Sequence, residues 1–352
     1  MIFRKILVTG GAGFIGSNFV RYLLKNSKFS RQRRDPEGIH QKSLHSGEIR
    51  NSKLKVINLD KLTYSGNLEN LRDVESDSRY KFVRGDICDK RVVFDIAKGC
   101  DAMINFAAES HVDRSIRDST EFIRTNIFGT QTLLEAAKKY RVRRFIQIST
   151  DEVYGSIHRG CFREDSPLLP NSPYAASKAA ADLLARSYFI THKLPVIVVR
   201  SSNNFGPYQY PEKIIPLFIT NAMENRRVPL YADGRNEREW LYVLDNCDAI
   251  SHVLHFGRDG QIYNIGSGDG FKNIDLTMRI LRILGKDKRL IKFVKDRPGH
   301  DRRYALDFIK ITRLGWRPRY KFEDALNETV LWYKENAGWW KRLKKRKEQK
   351  FW

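Results

Sequence analysis

The chain is 352 residues long, 41% hydrophobic and 12% aromatic, enough to bury a substantial core and too apolar for a disordered polypeptide. Its 64 Lys and Arg outweigh 41 Asp and Glu, for a formal net charge of +23, so long-range attraction favours anionic partners such as nucleotides, nucleic acids or membrane surfaces. Nothing approaches the run of about 18 apolar residues that a membrane-spanning helix needs, which excludes helical membrane spans. Met1-Ile2-Phe3-Arg4-Lys5 leads into a strand-like run and not a secretory signal, so a cytoplasmic protein without a membrane partner is expected. The four cysteines, Cys88, Cys100, Cys161 and Cys247, are widely spaced and form no C-x-x-C pair, which argues against a disulfide framework or a zinc site. No metal is expected.

Through the first 200 residues, apolar β-branched runs alternate with amphipathic segments of helical length, the pattern of βαβ units on a parallel sheet. Strands are predicted at Lys5 to Thr9, Lys55 to Leu59, Lys81 to Arg84, Ala102 to Phe106, Arg144 to Ser149 and Pro195 to Arg200, with helices at Ser17 to Lys25, Glu121 to Tyr140 and Tyr174 to His192. The fold class is therefore α/β, a Rossmann-type doubly wound parallel sheet. After Ser201, Pro- and Gly-punctuated loops with shorter elements suggest a smaller mixed α/β lobe that closes over the first. The expected division is 1–200 for a dinucleotide and 201–352 mainly for substrate, with a basic insertion at about 27–54 and a basic tail from Lys341 to Lys347. Both basic stretches read as solvated faces.

The first chemical signal is Thr9-Gly10-Gly11-Ala12-Gly13-Phe14-Ile15-Gly16-Ser17, where a buried strand runs into a G-x-x-G-x-x-G turn that opens a helix. Gly10, Gly13 and Gly16 are needed for the tight turn, for close approach to a pyrophosphate, and for packing of helix on strand. The helix start adds amides and partial positive charge. Asp60 ends the second predicted strand and suits the adenosine ribose hydroxyls; its charge would repel a 2′-phosphate, favouring NAD over NADP, a preference that neighbouring Lys61 weakens. It stands well beyond the usual interval of about 20 residues, hence the insertion. Asp86 closes the third strand and either holds the adenine edge or caps a loop.

Tyr174-Ala175-Ala176-Ser177-Lys178 places Tyr and Lys on one helix face. A nearby ammonium and a positive nicotinamide would stabilise the phenolate, making Tyr174 a base below its ordinary pKa of about 10. Thr150, ending an earlier strand, would bind the same substrate oxygen.

With these motifs the chain resembles the extended short-chain dehydrogenases/reductases and, within them, the dTDP-glucose 4,6-dehydratases. The matching stretches run from Gly10–Ser17 through Asn58–Leu71, Ala107–Asp113, Ser149–Gly155, Tyr174–Lys178, Arg200–Pro216, Gly234–Val243 and Tyr263–Gly266 to Asp296–Asp301. The resemblance implies that NAD contacts Gly10, Gly13, Phe14, Ile15, Gly16, Asp60, Lys61, Thr63, Asp86, Ile87, Ala107, Ala108, Glu109, Thr125, Tyr174, Lys178 and Asn204. It assigns a nucleoside-diphosphate glucose, dTDP-glucose above all, to Ser110, His111, Thr150, Asn203, Lys213, Ile214, Pro229, Tyr231, Arg238, Asn273, Arg297 and His300. The feature that separates dehydratases from same-fold epimerases and decarboxylases is Asp151-Glu152. Elimination across C5 and C6 needs a carboxylate to take the C5 proton and a carboxylic acid to protonate the departing hydroxyl, and adjacent acids help one another hold a proton.

By resemblance Tyr174, Lys178 and Thr150 serve C4, Glu152 is the C5 base and Asp151 the C6 acid. A homodimer through the helices Glu121–Tyr140 and Tyr174–His192 is also implied. A nucleic-acid partner is not expected despite the charge, since the catalytic residues are intact. Two departures stand out: the basic insertion, whose position in sequence suggests proximity to the adenosine end of the cofactor, and Glu239 where relatives often have Asp. Trp240 and Trp316 read as core, and His252 with His255 as an exposed helical face.

Overall fold

The protein is described from a computed structural model that covers residues 1–25 and 54–345; the insertion and the end of the tail lie outside the described residues. Six strands, β1 (Lys5–Thr9), β2 (Lys55–Asp60), β3 (Tyr80–Arg84), β4 (Ala102–Asn105), β5 (Arg144–Thr150) and β6 (Val196–Ser201), match the predicted runs to within a residue or so at each end. Beyond them come β7 (Asn203–Phe205), β8 (Val228–Tyr231), β9 (Glu237–Tyr242), β10 (Ile262–Ile265), β11 (Gly270–Lys272) and β12 (Ile291–Val294). The main sheet has the order β10-β6-β5-β4-β1-β2-β3, with every pairing parallel. Two small sheets, β11-β9-β7 and β12-β8, stand beside it.

Alternation explains how helices cover both faces. Ile6 and Val8 join the core cluster that holds Phe19, Val56 and Ile104, whereas Leu7 between them joins Leu59, Met103 and Leu133 on the other side. Chain order reverses at β1, which pairs with β2 on one side and β4 on the other. At such a switch point the loops after the two strands part, leaving a crevice at their carboxyl ends.

The residues after 200 are tied into this frame. β10 forms the edge of the main sheet, and the helix Val243–Phe256 lies against Phe14–Lys25, with the Tyr22 hydroxyl donating to Asp248 at 2.6 Å. Leu54 and Lys25 flank the insertion; Lys55 pairs with Lys5 at the start of β1, so this junction stands at the amino end of the sheet. The expectation that the insertion approaches the adenosine end falls on residues 26–53, which lie outside the described residues.

Three further expectations change. The predicted helix Glu121–Tyr140 is interrupted: Thr120–Phe122 and Thr130–Lys139 are α-helical, and Ile123–Gly129 between them is π-helical. Part of the basic tail is a docked helix, Ala337–Lys345, which buries Trp339, Trp340 and Leu343 while Lys344 reaches Glu224 at 2.7 Å. His252 and His255 are half-buried and hydrogen-bonded to the carbonyls of Leu314 and Ser251, with His255 edge-on to Phe3.

Candidate active site

The glycine turn is held by Gly10 N–H on Leu59 O at 2.9 Å and Gly13 N–H on Gly10 O at 3.1 Å. Gly10 has φ +69°, and a Cβ there would lie 2.6 Å from the Ala107 nitrogen; one on Gly16 would lie 2.2 Å from Gly10 O. A Cβ on Gly13 would meet only Gly10 O, at 3.2 Å, so this glycine leaves room on the crevice side. The three roles inferred from the motif are thus divided: Gly10 lets β1 and β4 close up, Gly16 seats the helix, and Gly13 bares the backbone where a phosphate can approach.

Asp60 ends β2 and accepts from the N–H groups of Ala12 at 2.9 Å and Leu62 at 2.8 Å. It braces the turn as well as facing the cleft. Lys61 turns toward Asp86 at 2.8 Å, so its charge is already matched and does not offset Asp60. Asp86 also caps the Cys88 N–H at 2.9 Å, the loop-capping reading, and it lines the cleft.

All the predicted cofactor, catalytic and substrate residues line one continuous cleft over the carboxyl ends of β1, β4 and β5. Sequence reasoning missed several neighbours. Asn126, in the π-helical segment, accepts from Glu109 N–H at 2.9 Å and donates to Glu109 O at 3.0 Å and to the Ser177 hydroxyl at 2.8 Å, holding the β4 loop against the Tyr174 helix. A π-helical turn at a site of this kind re-aims side chains that an α-helix would point elsewhere. Glu212 and Tyr304 also line the cleft, and so does Trp240, whose buried indole N–H has no partner. Trp240 is also core, as read from the sequence: it is buried and packs edge-on against Phe205.

The helix Pro173–His192 is started by Ser172, whose side chain accepts from Ala175 N–H at 3.1 Å, with Pro173 at its first position. Lys178 is buried and donates to Ile148 O at 2.6 Å. Its pKa is pushed down to about 8 by burial, opposed by Asp182. Tyr174 departs from expectation: burial, then the charges of Glu152 and Asp151, hold its phenol above the ordinary value, with a Thr150 hydrogen bond opposing. The protein alone does not depress this group, because dehydrating the phenolate outweighs the help it receives.

The acid pair follows β5 in a 3₁₀ turn, Asp151–Tyr154, begun by Thr150, whose Oγ1 accepts from Glu152 N–H at 3.3 Å and donates to Asp151 at 3.1 Å. Asp151 is buried with Oδ2 unpartnered, and its pKa stands well above the carboxylate range through burial and the charges of Glu152 and Glu239. Glu152 is raised by burial too, but Arg297, Lys213 and Arg238 pull it back. Burial thus raises both carboxyls, with the charge of Glu152 adding to it at Asp151 and three cations opposing it at Glu152, an arrangement that suits an acid beside a base.

Cations gather on the far side. Lys213 donates to Ser110 O at 3.0 Å, and the buried Arg238 donates to the carbonyls of Glu237 at 2.7 Å and Asp301 at 2.8 Å. Those partners are neutral, so the charge of Arg238 is left for a ligand. Arg297 keeps a buried Nε without a partner, and Asn203, Asn204 and Asn273 each have an unpartnered Oδ1. His300 is pushed down to about 4 by burial and by Arg297, and His111 to about 2 by burial and by Lys213. Glu239, the departure noted above, accepts from the N–H groups of Ser267, Gly268 and Leu306.

A family model described as GDP-mannose 4,6 dehydratase matches residues 7–329. A dTDP-glucose 4,6-dehydratase of Streptomyces niveus is 52% identical over 97% of this chain and 96% of its own. The chain belongs to the dTDP-glucose 4,6-dehydratase family. Among solved structures, the family's DesIV from Streptomyces venezuelae, with NAD and TYD bound, superposes with a TM-score of 0.88 at 50% identity, covering 96% of this chain and 99% of that one. The UDP-glucose 4-epimerase of Thermotoga maritima, with UDP-glucose, also superposes, with a TM-score of 0.82 at 29% identity over 95% of this chain and 99% of that one. The architecture is thus common to dehydratases and epimerases, and the residues inside the cleft must distinguish them.

Proposed function

We propose that this protein is an NAD-dependent hydro-lyase that converts a nucleoside-diphosphate glucose, dTDP-glucose first among them, to its 4-keto-6-deoxy derivative. The observation that carries the reading is the acid pair Asp151–Glu152 beside Tyr174 and Lys178 in one cleft. An epimerase has no step that uses such a pair.

The cleft suits NAD in its own geometry: Gly13 leaves space beside the helix start, Asp60 faces the cleft with lone pairs to spare, and Lys61 is occupied by Asp86. When bound, NAD supplies the hydride acceptor for C4 and afterwards the hydride donor for C6, and its positive ring adds the charge that Tyr174 lacks. Tyr174 takes the C4 hydroxyl proton while Thr150 orients that oxygen and Lys178 favours the phenolate. Glu152 then removes the C5 proton, made acidic by the C4 carbonyl, as Asp151 protonates the leaving C6 hydroxyl and water departs, and Glu152 returns the proton to C5 as C6 is reduced. Lys213, Arg238 and Arg297 are the cations for the diphosphate; Asn203 and Asn273 offer acceptors, and Tyr231 with Pro229 a wall for the base.

In this reading residues 1–200 hold the cofactor and those beyond 200 mainly the nucleotide sugar. A homodimer is proposed through the two helices after β4 and β5, which expose Ile123, Phe128, Leu183 and Ile190. Free thiols at all four cysteines and a nucleotide substrate suit the cytoplasm. No helix among the described residues is long and apolar enough to cross a membrane.

The test is incubation with dTDP-glucose and then UDP-glucose, following the 4-keto product by its absorbance in alkali. Product from either sugar supports the reading. A C4 epimer would assign the protein to epimerases, and tight salt-sensitive DNA binding without turnover to a nucleic-acid role.

A further inference from the structure

Behind the reactive groups lies a buried polar network that the proposed reaction does not use. Asp182 stands one helical turn beyond Lys178, and its Oδ2 accepts from the Ser149 hydroxyl at 3.0 Å and from Arg200 Nε at 2.9 Å. Asp182 and Arg200 are 2% and 3% exposed, so neither charge is tolerable without the other. Arg200 extends the chain to the Tyr154 hydroxyl at 2.8 Å, which donates to Asn264 at 2.8 Å. The second oxygen of Asp182 has no hydrogen-bond partner. Lys178, for its part, is buried at the cleft wall and donates to a neutral carbonyl.

We propose that Asp182, pinned by Arg200 and Ser149, is a positioning residue that holds the Lys178 ammonium in its charged form beneath the cleft. The inference rests on the reading of Lys178 given above. Ionised groups at i and i+4 on one helix attract, and the low polarity around this pair leaves the attraction little screened. Burial disfavours the charge on the lysine, and Asp182 opposes that. The other charged or titratable groups facing the pair are Tyr174 on the same helix, Asp151 and Glu152 after β5, and Arg200 on β6 with Tyr154 beyond it. Asp151 and Glu152 act mainly on the phenol, and Arg200 is committed to Asp182, so the support of Lys178 falls to Asp182.

The experiment follows C4 oxidation in a single turnover at 340 nm across pH, using the full protein loaded with NAD. Wild type loses rate on the alkaline side as Lys178 gives up its proton. Asp182→Asn is expected to move that alkaline limb down by about one pH unit. Arg200→Met moves it in the same sense, because an unpaired buried Asp182 takes up a proton, while Arg200→Lys restores it. A uniform loss of rate at every pH, with the limb unmoved, overturns the inference and leaves the network a structural one. If Asp182→Asn does not fold, Ser149→Ala decides: removing one hydrogen bond from the carboxylate gives a smaller downward shift, and no shift overturns the proposal. Dehydration and epimerisation both begin with C4 oxidation, so failure of the dehydratase reading shows as an epimeric product, distinct from an unmoved limb.

Discussion

The residues before 200 and those after it reach the same cleft by different physical means. Gly10, Asp60, Ala107 and Thr150 stand at or just past strand ends, and Tyr174 and Lys178 share a helix face, so regular geometry alone delivers them. Arg238 comes from a strand of a small sheet, Asn273 from a helix start, and Arg297 and His300 from a loop, elements tied together in part by long-range polar bonds. Arg238 ties β9 to the carbonyl of Asp301, and Glu239 ties it to the amides of residues 267, 268 and 306. A scaffold of regular elements suits groups that must meet reacting atoms within tenths of an ångström; a looser one, held by buried polar bonds, suits recognition of a nucleotide.

Replacements on the two sides should therefore fail differently. The largest effect is expected for Tyr174→Phe, which removes the C4 base and should lower kcat by about 10³-fold or more, with melting temperature and cofactor content near wild type. Next comes Glu152→Gln, expected to cost about 10²- to 10³-fold in product formation while C4 oxidation continues, so absorbance at 340 nm should build up without 4-keto-6-deoxy sugar. Both variants stalling before that absorbance appears would refute the separate roles.

Beyond residue 200 the signature should move to binding. Arg238→Met is expected to raise KM for the nucleotide sugar about tenfold or more with a smaller change in kcat, together with lost stability, since its carbonyl partners lose their donor. A change confined to kcat would place Arg238 with the chemistry instead.

The smallest predicted effect concerns pH and the fold alone. Burial, first among its causes, pushes His255 down to about 4, below the unfolded value of about 6.5. The unfolded chain therefore binds the extra proton between these values; the stability is complete above about 6.5 and declines as pH falls toward 4. From pH 7 to 5 this amounts to about 1–2 kcal/mol, which His255→Gln should remove from the difference in unfolding free energy between the two pH values. An unchanged difference would mean that the ring titrates normally.

The same contrast explains what was legible in sequence. The β1–β6 pattern, the glycine turn and the Tyr174–Lys178 face depend on local periodicity, and the structure reproduces them. Asn126 was hidden because the π-helical turn that aims it leaves no mark in a hydrophobic pattern that reads as one helix from Glu121 to Tyr140. The behaviour of Tyr174 was misjudged because its phenol answers to dehydration and to Asp151 and Glu152, whose burial depends on tertiary packing. The tail was read as solvated from its lysines and arginines, yet Trp339, Trp340 and Leu343 fall on one helical face and dock. Arg238 was found through its motif, and nothing in the spacing foretold that it would also bind carbonyls more than sixty residues away.

The central claim is that the hydride lost from C4 returns to C6 of the same sugar by way of bound NAD, after an acid–base pair has expelled water between them. It is tested most directly by supplying dTDP-glucose carrying deuterium at C4, mixed with unlabelled substrate carrying ¹³C, and locating the deuterium by mass and NMR. The account predicts deuterium at C6 of the same molecules that bore it at C4, with none transferred to the ¹³C population. Deuterium retained at C4 of an epimer, or lost to solvent, would contradict it.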